Sequence, residues 1–252
     1  MNIHIITVAT HSQGKFKELV NNKFNVNVKV LGYGKKWTGF TMKYDLVSEY
    51  IKDLNDEDII VFLDGFDSLI MKHPENAINK FIKSGYKLLF SKETNIFFGL
   101  TDYIFGKCKN NEIANPGLYI GYVKYLKLFL NDMKNIKCKD DQVNLNKNCN
   151  KYDFINIDID EEILQNVSTF EFSKYNDKAT FVSYPGNLSY NRTIKRGLFE
   201  YGQFFTNIIH PLLIFLVLII LTIKNKNIKI ITLFIICFLL YILFKMDKSC
   251  IT

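Results

Sequence analysis

Uninterrupted apolar runs alternate with short amphipathic stretches along the first 190 residues. Residues 59–63 (Ile-Ile-Val-Phe-Leu) carry no polar break, as expected of a strand covered on both faces. Residues 3–8 have the same character. Val26, Val28 and Val30 alternate with Asn27 and Lys29, the period of a half-covered strand. Helical spacing lies between these runs: Phe16, Leu19 and Val20 behind Ser12 as N-cap; Leu46, Val47, Tyr50, Ile51 and Leu54; and Ala77, Ile78, Phe81 and Ile82 between Pro74 and Gly85. Residues 86–90, 117–123, 154–157 and 179–184 read as further strands, residues 124–132 as a helix, and residues 140–145 as a short amphipathic helix. The pattern is weak from 94 to 115, which predicts a long loop able to cover a site. This alternation predicts an α/β core with a mostly parallel central sheet and helices on both faces. With no repeat and no linker before residue 190, residues 1–192 are expected to form one domain.

The C-terminal pattern is different in kind. Residues 204–223 are apolar apart from Thr206, Asn207, His210 and Thr222, and residues 230–244 apart from Thr232. A membrane-spanning helix needs about 20 apolar residues, with a lower limit of roughly 17. The first run qualifies, with Pro211 near its start; the second requires Lys229 and Lys245 to reach toward the interface. We expect a connector over 193–203, then a two-helix transmembrane hairpin placing residues 204–244 in a lipid bilayer, then a short tail to 252. A buried helix pair or a re-entrant hairpin are the alternatives. Lys224, Lys226 and Lys229 between the runs argue for a cytoplasmic loop, whereas Arg192, Lys195, Arg196, Lys245 and Lys248 argue the reverse. The chain opens on a strand-like segment rather than a signal peptide, so the domain is expected at a membrane on its cytosolic side.

Composition adds exclusions. The net charge is +7, but the lysines are scattered among Asn and Ile without a stripe, so they read as a solvated surface and no nucleic acid is expected as partner. Cys108, Cys138, Cys149, Cys237 and Cys250 show no paired spacing. Neither zinc nor a disulfide framework is expected, and a reducing compartment suits the odd count. Asn166, Asn187 and Asn191 begin glycosylation sequons, which arise readily in so Asn-rich a chain.

Candidate chemistry begins directly after the 59–63 strand, at Asp64-Gly65-Phe66-Asp67. A buried parallel strand ending in carboxylates places them at the edge where α/β folds bind ligands. Two neighbouring carboxylates repel unless a cation lies between them, and a divalent ion carrying a diphosphate meets that need; an ordinary turn is the alternative. Asp140 and Asp141 stand at a helix start, where capping explains them equally well. Trp37 lies in a glycine-punctuated loop over 32–39 and is available to stack on a base, packing being the alternative. The chain has no P-loop, dinucleotide fingerprint or nucleophile elbow. A nucleotide with a divalent metal but no P-loop points to nucleotide-sugar chemistry.

Seven stretches in order resemble the glycosyltransferase domain of procollagen lysyl hydroxylases and its relatives in large DNA viruses. Thr7-Val8-Ala9-Thr10 is similar to that family's first strand, and Gly32-Tyr33-Gly34-Lys35-Lys36-Trp37 to its Gly-x-Gly-x-x-Trp loop. Asp64-Gly65-Phe66-Asp67 resembles its Asp-x-x-Asp and Leu88-Leu89-Phe90-Ser91-Lys92-Glu93 its next strand. Asn115-Pro116-Gly117-Leu118-Tyr119-Ile120-Gly121, Asp140-Asp141-Gln142 and Leu164-Gln165-Asn166 answer to its later motifs.

The resemblance implies a GT-A-type nucleotide-sugar-binding sandwich that moves a hexose, glucose or galactose, from a UDP-sugar to a hydroxyl of a protein or glycan acceptor such as hydroxylysine. It implies manganese or another divalent cation on Asp64 and Asp67. It further implies a UDP-sugar site from Thr7, Val8, Thr10, Trp37, Lys43, Asp64 and Asn115, and a catalytic role for Asp140 or Asp141. Two departures stand out. The family's late His-Gly-Asn, source of a third metal ligand, falls near Ser183-Tyr184-Pro185-Gly186-Asn187, where there is no histidine. The four dispersed histidines also leave no two-His-one-carboxylate iron site, so no lysyl hydroxylase activity is expected. A non-catalytic binding module that keeps the fold is the competing reading.

Overall fold

The computed structural model describes residues 1–93, 100–167, 174–185, 195–246 and 248–250. Its chain divides into two compact units, Met1–Asn187 and Leu188–Thr252.

The first unit is built on a six-stranded sheet. Its strands are β1 (Ile3–Val8), β2 (Val28–Leu31), β3 (Ile59–Asp64), β5 (Leu88–Lys92), β6 (Ala114–Tyr122) and β7 (Ile155–Asp158), in the order β2-β1-β3-β6-β5-β7. Every strand but β6 runs the same way: β1 pairs in parallel with β2 and β3, and β5 with β7, while β6 is antiparallel to β3 and β5. A smaller sheet orders β4 (Ser68–Ile70), β9 (Phe181–Ser183) and β8 (Leu164–Asn166). The mostly parallel α/β sandwich expected from the sequence is therefore present.

The unbroken apolar run of β3 follows from burial on both faces. Ile60 and Phe62 join one core with Ile6, Phe90 and Tyr119, closed by Val47 and Ile51 of α2 (Met42–Ile51) and by Leu126, Phe129 and Leu130 of α5 (Val123–Met133). Ile59, Val61 and Leu63 join the opposite core with Leu89 and Ile120, closed by Leu19 of α1 (Phe16–Val20) and by Ala77, Ile78 and Phe81 of α3 (Glu75–Ser84). A strand with side chains alternating between two apolar layers needs no polar position.

Several expectations require correction. Ser12 does not cap α1, whose N-cap is Lys15 without a side-chain cap bond. The stretch read as a loop contains α4 (Leu100–Phe105) and the first residues of β6, and its residues 94–99 lie outside the described ones. Disulfides were not expected, yet Cys108 is bonded to Cys149 across 41 residues of sequence. The two bonded cysteines sit in one apolar core, so the chain crossing, rather than a spacing motif, brings them together. Gly186, Asn187 and Asn191 lie outside the described residues. Asn166 is 1% exposed, and its side-chain amide donates to Ser91 Oγ (2.9 Å) and the Lys92 carbonyl (2.6 Å).

The second unit contains α7 (Thr206–Thr222) and α8 (Lys226–Lys245). Helical segments Gly202–Thr222 and Lys226–Lys245 are each long and apolar enough to cross a membrane. The Asn225 side chain caps α8, accepting from the Asn227 and Ile228 N–H groups.

Candidate active site

The site forms at the end of β3. Val8 of β1 pairs with Asp64, and the chain then turns through Gly65 and Phe66 to Asp67 before entering β4. Two neighbours clasp this turn: the Lys15 N–H donates to the Phe66 carbonyl (2.8 Å) and the Tyr184 N–H to the Asp67 carbonyl (2.9 Å). The His11 ring also packs on Phe66 with centroids 5.1 Å apart. Asp64 is held at the sheet edge with its side chain 29% exposed.

Because β6 runs against β3, its beginning arrives at the same edge. The register of β6 on β5 shifts between Phe90 and Ser91, where Ser91 faces Asn115. The Asn115 side-chain Oδ1 accepts the Gly117 N–H (2.7 Å), and its side-chain NH2 donates to Glu93 Oε2 (2.7 Å). A Cβ on Gly117 would stand 3.6 Å from Asp64 Oδ2 and 2.9 Å from Asn115 Oδ1, so the bare backbone keeps the flank of Asp64 clear.

Lys43, on α2, joins this edge to the start of α6 (Asp141–Asn148). Its ammonium is 2.5 Å from Asp141 Oδ2 and 3.4 Å from Asp64 Oδ2, and its side chain is 8% exposed. Burial opposes the charge, but the Asp141 and Asp64 carboxylates together outweigh it and hold Lys43 protonated above its ordinary value. Asp140 and Asp141 have different surroundings. Asp140 is the N-cap of α6, its Oδ1 accepting the N–H groups of Gln142 (3.0 Å) and Val143 (2.9 Å), as capping requires. Asp141 is the carboxylate turned to Lys43, and its carbonyl accepts the Tyr44 hydroxyl (2.8 Å). Burial, then the Asp141 charge, raise the Tyr44 pKa well above normal, so this hydroxyl stays a donor.

The remaining predicted residues are placed as follows. The Thr7 hydroxyl donates inward to the Leu63 carbonyl (2.6 Å), tying β1 to β3. Val8 is buried beside Asp64. Thr10 follows β1, its carbonyl accepting the Gly34 N–H (2.9 Å), which fixes the glycine loop beside the strand end. Trp37 is 39% exposed and meets Phe40 edge-on, while Lys43 lies 5.5 Å from the Phe40 ring centre. Sequence reasoning missed Glu93 and Gln142 as site residues. Glu93 Oε2 accepts from both the Asn115 amide and the Gln142 amide (2.7 Å each), connecting β6 to α6 beneath the acidic edge. Their signal was present in the motif strings, but a buried amide network has no spacing pattern of its own.

Among the described residues no group of three His, Cys, Asp or Glu gathers in metal-holding geometry. Asp64 and Asp67 are hard oxygen donors, and Asp64 has a clear flank. That donor set suits a divalent cation shared with the oxygens of a bound diphosphate, rather than one caged by protein alone.

A mostly parallel sheet with an antiparallel strand beside its acidic edge, covered on both faces, is an α/β sandwich whose acidic edge is of the ligand-binding kind. Residues 1–183 match the family described as the PLOD GT domain, and the chain belongs to that family. It is 26% identical over 235 residues to human procollagen-lysine,2-oxoglutarate 5-dioxygenase 2, covering 81% of this chain and 31% of that protein. It is 28% identical over 153 residues to the rat multifunctional procollagen lysine hydroxylase and glycosyltransferase LH3, covering 55% and 21%. A Drosophila melanogaster procollagen-lysine,2-oxoglutarate 5-dioxygenase is 30% identical over 134 residues, covering 48% and 19%. The chain thus spans less than a third of the length of these relatives.

Proposed function

We propose that the chain is a membrane-anchored, UDP-sugar-dependent hexosyltransferase acting on a hydroxyl of a protein or glycan. The observation that carries this reading is the Lys43 bridge, which sets the donor-side Asp64 beside the acceptor-side Asp141 on a sheet edge of glycosyltransferase type. Trp37 is exposed enough to stack on a base, with Val8 and Thr10 bordering the nucleoside. Asn115, buried and held by Glu93 and the Gly117 N–H, backs the donor side of the site. Asp64 and Asp67 would hold a divalent cation, which would supply Lewis-acid neutralisation of the leaving diphosphate. Asp141 orients the acceptor hydroxyl or takes its proton, and Asp140 sets the pitch of the helix that carries it.

The two long apolar helices support the membrane anchor. The cytosolic placement expected from the sequence conflicts with the Cys108–Cys149 bond, which favours an oxidising compartment. The missing histidine keeps the binding-module reading as the competitor.

UDP release from UDP-glucose and UDP-galactose with manganese separates the two readings. Turnover by the wild type, reduced about 100-fold or more in Asp64→Ala, is the expected result. Equal rates for the two proteins would sink the metal assignment.

A further inference from the structure

We propose that Lys43 is the resident cation of the donor pocket and makes uptake of a divalent ion by Asp64 conditional on a nucleoside diphosphate. This rests on the donor reading above. A fixed ammonium stands 3.4 Å from Asp64 Oδ2. It is not free to withdraw: it is 2.5 Å from Asp141 Oδ2, 8% exposed, and flanked by the Phe40 ring. A dication taken up by Asp64 would share that confined space with a like charge. Among the described residues the protein ligand set is also short: no three His, Cys, Asp or Glu converge. Hard divalent cations take six or more oxygen ligands.

A diphosphate offsets both deficits. It brings oxygen ligands, and its negative charge gives the ammonium an anion to face. The cation therefore enters as its nucleotide complex, and Asp64 is left paired with Lys43 between turnovers.

Manganese binding to the full chain in detergent tests this, read by the electron paramagnetic resonance signal of free Mn2+ with and without UDP, after subtracting UDP–Mn2+ association in buffer. UDP is expected to raise the apparent Mn2+ affinity of the wild type by about 10-fold or more. Lys43→Met is expected to raise the UDP-free affinity roughly 5- to 10-fold and so shrink the UDP effect. Asp141→Asn should do the opposite, because it removes the partner that draws the ammonium away from Asp64. A merely structural lysine would not give opposite signs in these two variants. Lys43→Arg, which keeps the charge, should retain the UDP dependence. If Lys43→Met does not fold, the wild type and Asp141→Asn decide the question. Equal wild-type affinity with and without UDP overturns the proposal, as does a Lys43→Met protein whose UDP-free affinity is unchanged or lower. Mn2+ saturation without UDP, while UDP still binds, overturns this inference alone. UDP that binds at no Mn2+ concentration overturns the donor reading, and this inference with it.

Discussion

Gly65 sits where a side chain has no room: a Cβ there would stand 2.5 Å from the Val8 carbonyl oxygen and 2.9 Å from the Ala9 Cβ. The backbone on one side is a central strand and cannot yield cheaply. Gly65→Ala is expected to cost about 1–3 kcal/mol of stability, as overpacking does, and to move Asp64 off its edge. Thermal unfolding and UDP binding should both report it. Asp58 offers a second residue-scale test. Its buried carboxylate accepts the Asn2 N–H (2.6 Å) and faces His4 Nε2 (3.6 Å) and the amino terminus (3.9 Å). The Asn2 bond lowers its pKa below the ordinary 3.8; burial pulls the other way, and His4 and the terminus add to the lowering. A carboxyl depressed by folding stabilises above its ordinary pKa, and that contribution is lost as pH falls through the folded value. Stability measured from about pH 5 downward should therefore fall less steeply in Asp58→Asn than in the wild type.

At the scale of elements, the Cys108–Cys149 bond joins the turn leading into β6 to the end of α6. These are the two elements that bring Asn115 and Asp141 to the site. Replacing both cysteines by serine is expected to destabilise the domain by about 2–5 kcal/mol, seen as a lower Tm. Reductant should lower the Tm of the wild type by more than it lowers that of the double variant. The sequence revealed β3 and the Asp64 turn because a doubly covered strand is a continuous apolar run. It revealed the start of α6 because Asp-Asp-Gln opens an amphipathic stretch. It did not reveal the reversed direction of β6, since an apolar pattern has no polarity along the chain. Strand β4, three residues long, is too short to show a period. The separate surroundings of Asp140 and Asp141 depend on which residue takes the extended N-cap conformation, and adjacent identical letters do not disclose that. Glu93 and the cysteine pair are set by tertiary approach alone.

At the scale of the whole molecule, the apolar surface of α7 and α8 sets the behaviour of the chain. Leu221 is 71%, Phe234 72% and Phe244 82% exposed, an apolar surface of the kind that marks a membrane or protein contact. The full chain is expected to stay with membranes through alkaline carbonate extraction. Ile214→Arg, at the middle of α7, should weaken that retention, the charge adding about 2.5–3.5 kcal/mol to insertion. The burial of Asn166 has a consequence for the life history of the domain. Its amide nitrogen is the atom a glycan would occupy, yet in the finished sheet that nitrogen is given to Ser91 and Lys92. Sugar and native structure are mutually exclusive at this position. Where the chain meets a glycosylating enzyme, closure of β8 against β5 competes with attachment, and a sugar on Asn166 would mark a molecule that folded too late.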